Sequence, residues 1–368
     1  MDNYLWTKFR MPNVYSFGKT LTDCSDKTIL INLPLTWETL CLIEAVKDKF
    51  KKIIVIPLTS GENSSLQKGV FGYLKKWNIT YFEEASSKNR KLALDLEPDI
   101  IVDCVFTISK FGFGHGLIGA DTLIIEDTRT GGEKLREYFN KNHIKNNFYI
   151  LDDNPIKKNY ENRIGIGYSV VGALISNGIL LAGKNVLIVG YGPVGQGLAR
   201  FCKGIGAKVT IADINSEALK TASTNYYVGP LSKVIKDSDI VITATGKNNV
   251  LNEKTLTLAR DGIILANAGA DFGEWNQDFL RNNSTEIVKI HESLTLYVLR
   301  TNKRIFELGG GNSINLVCGV SVSEFLDLTF SLGILIISQY LSKGSETQEI
   351  IFENISLNKL NKAAQYYE

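Results

Sequence analysis

The sequence predicts an α/β protein of two doubly wound parallel-sheet lobes, with C-terminal helices returning to the first lobe. Three observations predict it. Short, uninterrupted apolar runs recur about every twenty positions through the first 150 residues, with segments of helical character between them. Strands of that kind are buried on both faces, as in a parallel sheet wrapped by helices. The same alternation resumes after residue 184. At 368 residues the chain exceeds the length at which one core stops growing, so about two domains are expected.

In order, the first-lobe strands are expected at 28–33, 52–57, 79–82, 99–102, 122–125 and 147–151, with helices such as 38–50 and 65–77 between them. The glycine-bearing segment 159–182 (Gly165, Gly167, Gly172, Gly178) leads to the second lobe and reads as a hinge. Second-lobe strands are expected at 184–190, 208–213, 239–245 and 262–267, then a less regular stretch at 286–308. Gly309, Gly310 and Gly311 read as a crossing loop back to the first lobe, and the last fifty or so residues as helical. The resulting division is 1–162 for a substrate lobe, 163–308 for a nucleotide lobe, and 309–368 for the crossing and returning helices. The apolar stretch 325–341 is interrupted by Asp327, Thr329, Ser331, Gly333, Ser338 and Gln339, so it reads as a buried or interface helix rather than a membrane span.

The most specific signal is KNVLIVGYGPVGQG at 184–197. A β-branched strand ends in Gly190, a turn carries Gly192, Pro193 and Val194, and Gly195 opens a helix-compatible segment at 196–205. A second strand then ends on Asp213. Gly190 lets the chain turn, Gly192 lets backbone approach a pyrophosphate, and Gly195 lets helix and strand pack closely. The helix N-terminus offers its free N–H groups to the phosphates. Asp213 stands where a carboxylate accepts ribose hydroxyls and repels a 2′-phosphate, which favours NAD over NADP. The second lobe is therefore read as a Rossmann NAD-binding domain, and the first, lacking such a loop, as the substrate lobe.

Composition narrows the class. Hydrophobic residues make up 44% and charged residues 22%, ordinary values for a soluble globular protein. The 41 basic and 39 acidic residues are interspersed, so nothing points to nucleic acid. Cys24, Cys41, Cys104, Cys202 and Cys318 are scattered, without a CxxC pair, and read as reduced thiols of a cytoplasmic protein. No metal site is expected in the chain, and its start shows no signal-peptide core.

Several segments together resemble the S-adenosylhomocysteine hydrolase family, from about residue 33 to 341. Pro34-Leu35-Thr36-Trp37-Glu38-Thr39 is similar to that family's adenine-side motif, which implies that Thr36, Glu38 and Thr39 contact the base. Glu126-Asp127-Thr128-Arg129-Thr130-Gly131 is similar to its Glu-Glu-Thr-Thr-Thr-Gly segment. That implies Asp127 on the ribose hydroxyls and Thr128 and Thr130 on the cofactor. Lys157-Lys158-Asn159-Tyr160-Glu161-Asn162 is similar to its Lys-Ser-Lys-Phe-Asp-Asn segment. By that likeness Lys157 is the catalytic lysine, Glu161 a ribose-binding acid and Asn162 a cofactor ligand. Thr243, Thr245 and Gly246, with Asn267 and Gly269, resemble loops that close over the nicotinamide ribose.

The resemblance implies a redox-neutral reaction on an adenosine-type nucleoside: oxidation at the 3′-position, then elimination, epimerisation or hydrolysis, then return of the hydride. A lysine among apolar walls is expected to have its pKa lowered enough to act as base. A homo-oligomer, dimer or tetramer, is also implied. Departures from the family pattern are equally informative. Pro34 and Ala270 stand where the family has histidines, and Asn312 is aligned with a third, retained here as a substrate-binding candidate. Cys104 falls on the aspartate that handles the C4′ proton, with Asp103 one residue away, so both are candidates. The tail at 358–368 does not match the family's. His115, His143 and His291 match none of its histidines and read as surface residues. Two further readings stay open: ordinary hydrolysis of S-adenosylhomocysteine by substitute residues, and an inactive NAD- and nucleoside-binding regulator.

Overall fold

The computed structural model describes residues 3–58, 67, 69–269 and 273–343. The chain divides into two compact units, Met1–Glu161 with Ser323–Glu368, and Asn162–Val322.

Unit 1 holds a six-stranded sheet, all parallel: β1 (Cys24–Asn32), β2 (Phe50–Val55), β3 (Thr80–Tyr81), β4 (Ile100–Asp103), β5 (Leu123–Glu126) and β6 (Phe148–Ile150), ordered β3-β2-β1-β4-β5-β6. All six lie where apolar runs predict them. In β1, Ile29 and Ile31 enter one core with Ile125, Leu328 and Leu332, while Leu30 enters another with Ile124, Leu135 and Phe139. Neighbours on one strand thus bury on opposite faces, which explains why the run is apolar throughout rather than alternating. Strand order reverses between β1 and β4, and Asn32 pairs with Asp103 at their carboxyl ends. In doubly wound sheets that switch point is where ligands bind.

Helices follow the strands as expected, with the second starting later. Trp37–Val46 is capped by Thr36, and Val70–Lys76 occupies the end of the expected 65–77 segment, of which 65, 66 and 68 lie outside the described residues. The C-terminal helix Ser323–Lys343 belongs to unit 1 and packs against the helix Pro12–Thr20. Asp327 fixes that contact by accepting from the backbone N–H groups of Asn13 (3.0 Å) and Val14 (2.6 Å). By length and composition this helix could cross a membrane, yet 56% of its most apolar window is buried within the protein, as a core helix is.

Unit 2 holds an eight-stranded sheet. Its strands are β7 (Asn185–Val189), β8 (Lys208–Ala212), β9 (Tyr227–Val228), β10 (Ile240–Thr243), β11 (Ile263–Asn267), β12 (Ser284–His291), β13 (Leu294–Leu299) and β14 (Arg304–Ser313). They are ordered β12-β13-β14-β11-β10-β7-β8-β9. β7 to β11 and β14 pair in parallel, the Rossmann arrangement, whereas β12 and β13 add an antiparallel margin over the stretch that sequence left irregular.

The three glycines expected as a crossing loop lie inside β14. Ala266 pairs with Leu308 and Asn267 with Ser313, so residues 309–312 loop out between successive rungs. Gly309, Gly310 and Gly311 take left-handed φ of 78°, 58° and 84°, and Asn267 Nδ2 pins the excursion by donating to the Gly311 carbonyl at 2.9 Å. Unit 2 continues past them to Val322. The helix Lys157–Ile166 carries the chain from unit 1 into unit 2 and is π-helical, an i→i+5 pattern frequent at functional positions.

Candidate active site

Two neighbouring acids at the carboxyl ends of β4 and β5 build one loop. Asp103 and Glu126 pair in register and are fully buried. Asp103 accepts from the N–H groups of Cys104 (2.8 Å), Thr107 (3.2 Å), Ile108 (3.3 Å) and Ser109 (2.9 Å). Glu126 accepts from Val105 N (2.9 Å), Phe106 N (2.9 Å), Thr128 N (2.8 Å) and Thr128 Oγ1 (2.7 Å). These bonds hold Val105 and Phe106 at left-handed φ of 60° and 55°, which a β-branched or bulky residue adopts only under such constraint. Burial, and for Glu126 also the Asp103 charge, pushes both carboxyls above their usual range. Asp103, a catalytic candidate from sequence, thus has its carboxylate committed to the loop backbone. Cys104, the other candidate, is buried; burial, then Asp127 and Glu126, push its thiol well above the ordinary value, so it is a neutral thiol.

The adjoining residues make a charged cluster. Lys157 is 2% exposed, and its Nζ donates to Asp127 Oδ1 at 2.6 Å and Glu161 Oε1 at 3.0 Å. Glu161 Oε2 accepts from Thr329 Oγ1 of the C-terminal helix. Sequence reasoning expected a depressed lysine. Burial alone would depress it, but the charges of Asp127 and Glu161, with Asp152 beyond them, hold the ammonium above its ordinary value. Glu161 is raised by burial first, against the opposing pull of Lys157. Asp127 and Glu126 are adjacent in sequence yet do different things: the first acid builds the loop and the second meets the lysine.

Thr36 and Thr39 shape the turn after β1. Thr36 caps the following helix through Thr39 N (3.5 Å), and Thr39 Oγ1 donates to the Pro34 carbonyl at 2.6 Å. Glu38 is buried on the first helical turn, where its Oε1 accepts from Ser323 Oγ at 2.8 Å. Thr128 caps the helix Arg129–Asn142, and half-buried Thr130 lies in its first turn. A β-carbon on Gly131 would stand 2.1 Å from Glu126 Oε1, so the glycine of that motif makes room for the loop-building acid.

In unit 2 the glycine loop joins β7 to the helix Pro193–Gly204, with Gly192 at the cap, Pro193 first and Val194 next. Gly190 has φ 98°, and a β-carbon on Gly195 would lie 1.9 Å from the Gly190 carbonyl oxygen. A β-carbon on Gly192 would meet nothing within 4 Å. The protein's own packing does not require a glycine there, whereas a pyrophosphate against the backbone does. Asp213 accepts from Tyr191 N at 2.6 Å and Asn215 N at 2.8 Å, which ties the acid to the loop. These residues fit a dinucleotide.

The next two strand ends also converge. Asn267 Oδ1 accepts from Thr243 Oγ1 (3.2 Å) and Gly269 N (2.7 Å). Buried Glu274 accepts from Thr245 Oγ1 (2.6 Å) and Gly246 N (2.7 Å), and burial raises its carboxyl. Asn162 is buried at the start of unit 2. Asn312, the substrate-binding candidate, donates to the Gly309 carbonyl at 3.0 Å within the β14 excursion. Ala270 and the tail 358–368 lie outside the described residues. His115, His143 and His291 are exposed, His143 in the left-handed C-cap of its helix. All five cysteines are free, and no group of metal-ligating side chains occurs among the described residues.

Sequence reasoning missed Ser323, Thr329 and Glu274. Thr329 carried a signal, since a hydroxyl interrupting an apolar helix needs a partner, whereas Ser323, ahead of that stretch, carried none. Glu274 carried none, because its partners, the Thr245 hydroxyl and the N–H groups of Thr245 and Gly246, follow a strand far from it in sequence.

A glycine loop at a Rossmann strand end, closed by an acid directly after the next strand, defines an NAD-binding protein. A sequence model of the domain described as "S-adenosyl-L-homocysteine hydrolase, NAD binding domain" matches residues 162–321, nearly the whole of unit 2. The S-inosyl-L-homocysteine hydrolase of Methanococcus maripaludis is 30% identical over 89% of this chain and 81% of its own. That of Methanopyrus kandleri is 29% identical over 96% and 86%. The adenosylhomocysteinase of Thermotoga maritima is 30% identical over 73% and 67%. The chain belongs to the S-adenosyl-L-homocysteine hydrolase family, and NAD is its cofactor.

Proposed function

We propose that this protein oxidises the 3′-hydroxyl of an adenosine-type nucleoside and completes a redox-neutral elimination, epimerisation or hydrolysis at the sugar. The observation that carries the reading is the buried Lys157 between Asp127 and Glu161. A lysine enclosed by two carboxylates in a family of NAD-dependent hydrolases is suited to proton transfer at a sugar hydroxyl. Bound NAD⁺ would accept the hydride and later return it. Asp127 and Glu161 would accept hydrogen bonds from the ribose hydroxyls. As they do so they release part of their hold on the ammonium. Lys157 would then lose its extra proton to solvent, accept the 3′-hydroxyl proton as the neutral amine when the hydride leaves, and give it back when the hydride returns. Glu38, held by Ser323 at 2.8 Å on the first helical turn after β1, is the proposed contact to the base.

Pro34 has no proton to give, and Asn312 is spent within its own loop. Release of homocysteine would therefore be slow, by about two or more orders of magnitude for one missing general acid. Relatives named for adenosyl and for inosyl substrates make both bases part of the test. Purified protein with NAD⁺ is mixed with adenosine, inosine and their homocysteine thioethers, and the near-ultraviolet band of reduced nicotinamide is followed. A band with any of these supports the reading. No band with any of them, while NAD⁺ binds, makes the protein a binding regulator, and homocysteine release at the family's ordinary rate would refute the proposed slow release.

A further inference from the structure

The C-terminal helix carries three buried hydroxyls, and it does not use them alike. Ser331 Oγ returns to the Asp327 carbonyl one turn back at 2.6 Å, the usual local outlet for a helical hydroxyl. Ser323 and Thr329 instead give their protons to Glu38 and Glu161, remote acids on other elements. A threonine hydroxyl has one proton to donate, and a carboxylate acceptor makes that bond charge-assisted. The two oxygens of Glu161 are thereby divided, Oε1 to Lys157 and Oε2 to Thr329.

Resting on the role proposed above for Lys157 and Glu161, we propose that Thr329 is a positioning residue. It holds Glu161 ionised and turned to Lys157, so that the C-terminal helix sets the charge state of the lysine cluster. The groups around the pair are Lys157 itself, Asp127 after β5, Asp152 after β6 and the neutral Cys104 thiol after β4. One ammonium faces more than one carboxylate, so the cluster has too little positive charge to keep every acid ionised unaided. Burial and the Asp127 charge favour the protonated form of Glu161, while Lys157 and the Thr329 hydroxyl favour the ionised one. Loss of the hydroxyl removes an interaction made to the charged form. The proton affinity of Glu161 should then rise by about one to two pH units.

The test uses the full chain with Thr329→Val, which keeps the shape without the hydroxyl, and Thr329→Ser, which keeps the hydroxyl. The Glu161 carboxyl is followed by carbon-13 NMR against pH, assigned by its disappearance in Glu161→Gln. Nucleoside-driven reduction of NAD⁺ is measured over the same range. The valine variant should move both the Glu161 midpoint and the acid limb of reduction upward by about one to two pH units, and serine should restore both. Should the valine variant not fold, Thr329→Ala reads the same titration. An unmoved midpoint in the valine or alanine variant overturns the proposal, as does a serine variant that shifts like valine. A shifted midpoint in a protein whose bound NAD⁺ none of the nucleosides reduces supports the placement of Thr329 and refutes the proposed function alone.

Discussion

Gly195 sits so close to Gly190 that a β-carbon on it would lie 1.9 Å from the Gly190 carbonyl oxygen. Gly192, three residues earlier, faces open space. The two glycines should therefore fail differently. Gly195→Ala must push the helix off the strand, with a cost of about 1–3 kcal/mol in stability and with loss of NAD affinity. Gly192→Ala should leave the melting temperature near wild type while weakening NAD, because only the ligand needs that space. Calorimetry and thermal melts on both variants decide it. Tight NAD binding by Gly192→Ala would remove the pyrophosphate from that position.

Asp213 bridges Tyr191 N and Asn215 N. A carboxylate there opposes a 2′-phosphate, so NAD⁺ should bind more tightly than NADP⁺. Asp213→Ala should narrow the gap, chiefly by weakening NAD⁺. Equal or tighter binding of NADP⁺ by the unaltered protein would contradict the assignment.

The six strands of unit 1 and the glycine loop were legible because each is local: an apolar run, or glycines at fixed spacing. Residues 309–312 were misread because three glycines look alike in a crossing loop and in a strand excursion. Only the Asn267 amide, some forty residues away in sequence, distinguishes the two. The direction of the Lys157 shift was illegible for a similar reason. Burial and counter-charge oppose each other, and the balance depends on Asp127 and Glu161 both lying within hydrogen-bonding distance. Motif likeness named Glu126 and Asp127 together, but only the backbone of Val105 and Phe106 separates their tasks.

Gly333 lies in the middle of the C-terminal helix beside an apolar cavity of about 30 Å³ lined by Ile31, Leu42, Phe330, Ile334 and Ile337. A β-carbon there would meet nothing within 4 Å. Gly333→Ala should stabilise the protein by about 1 kcal/mol, since alanine favours the helix and nothing clashes. A lower melting temperature would show that the helix needs glycine for another reason.

Asp327 has its carboxyl raised to about 6, by burial first, with Glu324 adding to the rise and the Asn13 and Val14 donors opposing it. An unfolded aspartate titrates near 3.9. Between about pH 4 and 6 the folded state thus binds the extra proton, and this group's contribution to stability grows as pH falls through 6 towards 4. Asp327→Asn removes that slope. Its cost in urea unfolding should be greater at pH 4.5 than at pH 7, by on the order of 2 kcal/mol. Equal costs at the two pH values would mean that Asp327 titrates normally.

Lys157 offers the sharpest test, because it is at once the proposed base and the counter-ion of two acids. Lys157→Ala should abolish reduction of NAD⁺ by any nucleoside, yet leave NAD affinity nearly intact, since the phosphate loop belongs to unit 2. It also strands Asp127 and Glu161 without their cation, and removing one partner of a buried pair costs about 3–5 kcal/mol. That cost has a sign in pH. Without the ammonium, Glu161 gains proton affinity, so the variant should recover stability relative to wild type as pH falls from 7 towards 5. Lys157→Ala/Glu161→Gln, with one charge fewer to compensate, should be more stable at pH 7 than Lys157→Ala alone and equally inactive. If the single variant still reduces NAD⁺ with nucleoside, the base is another residue. If it is inactive but no less stable, and its stability has the wild-type pH dependence, the ammonium does not compensate the two acids in solution.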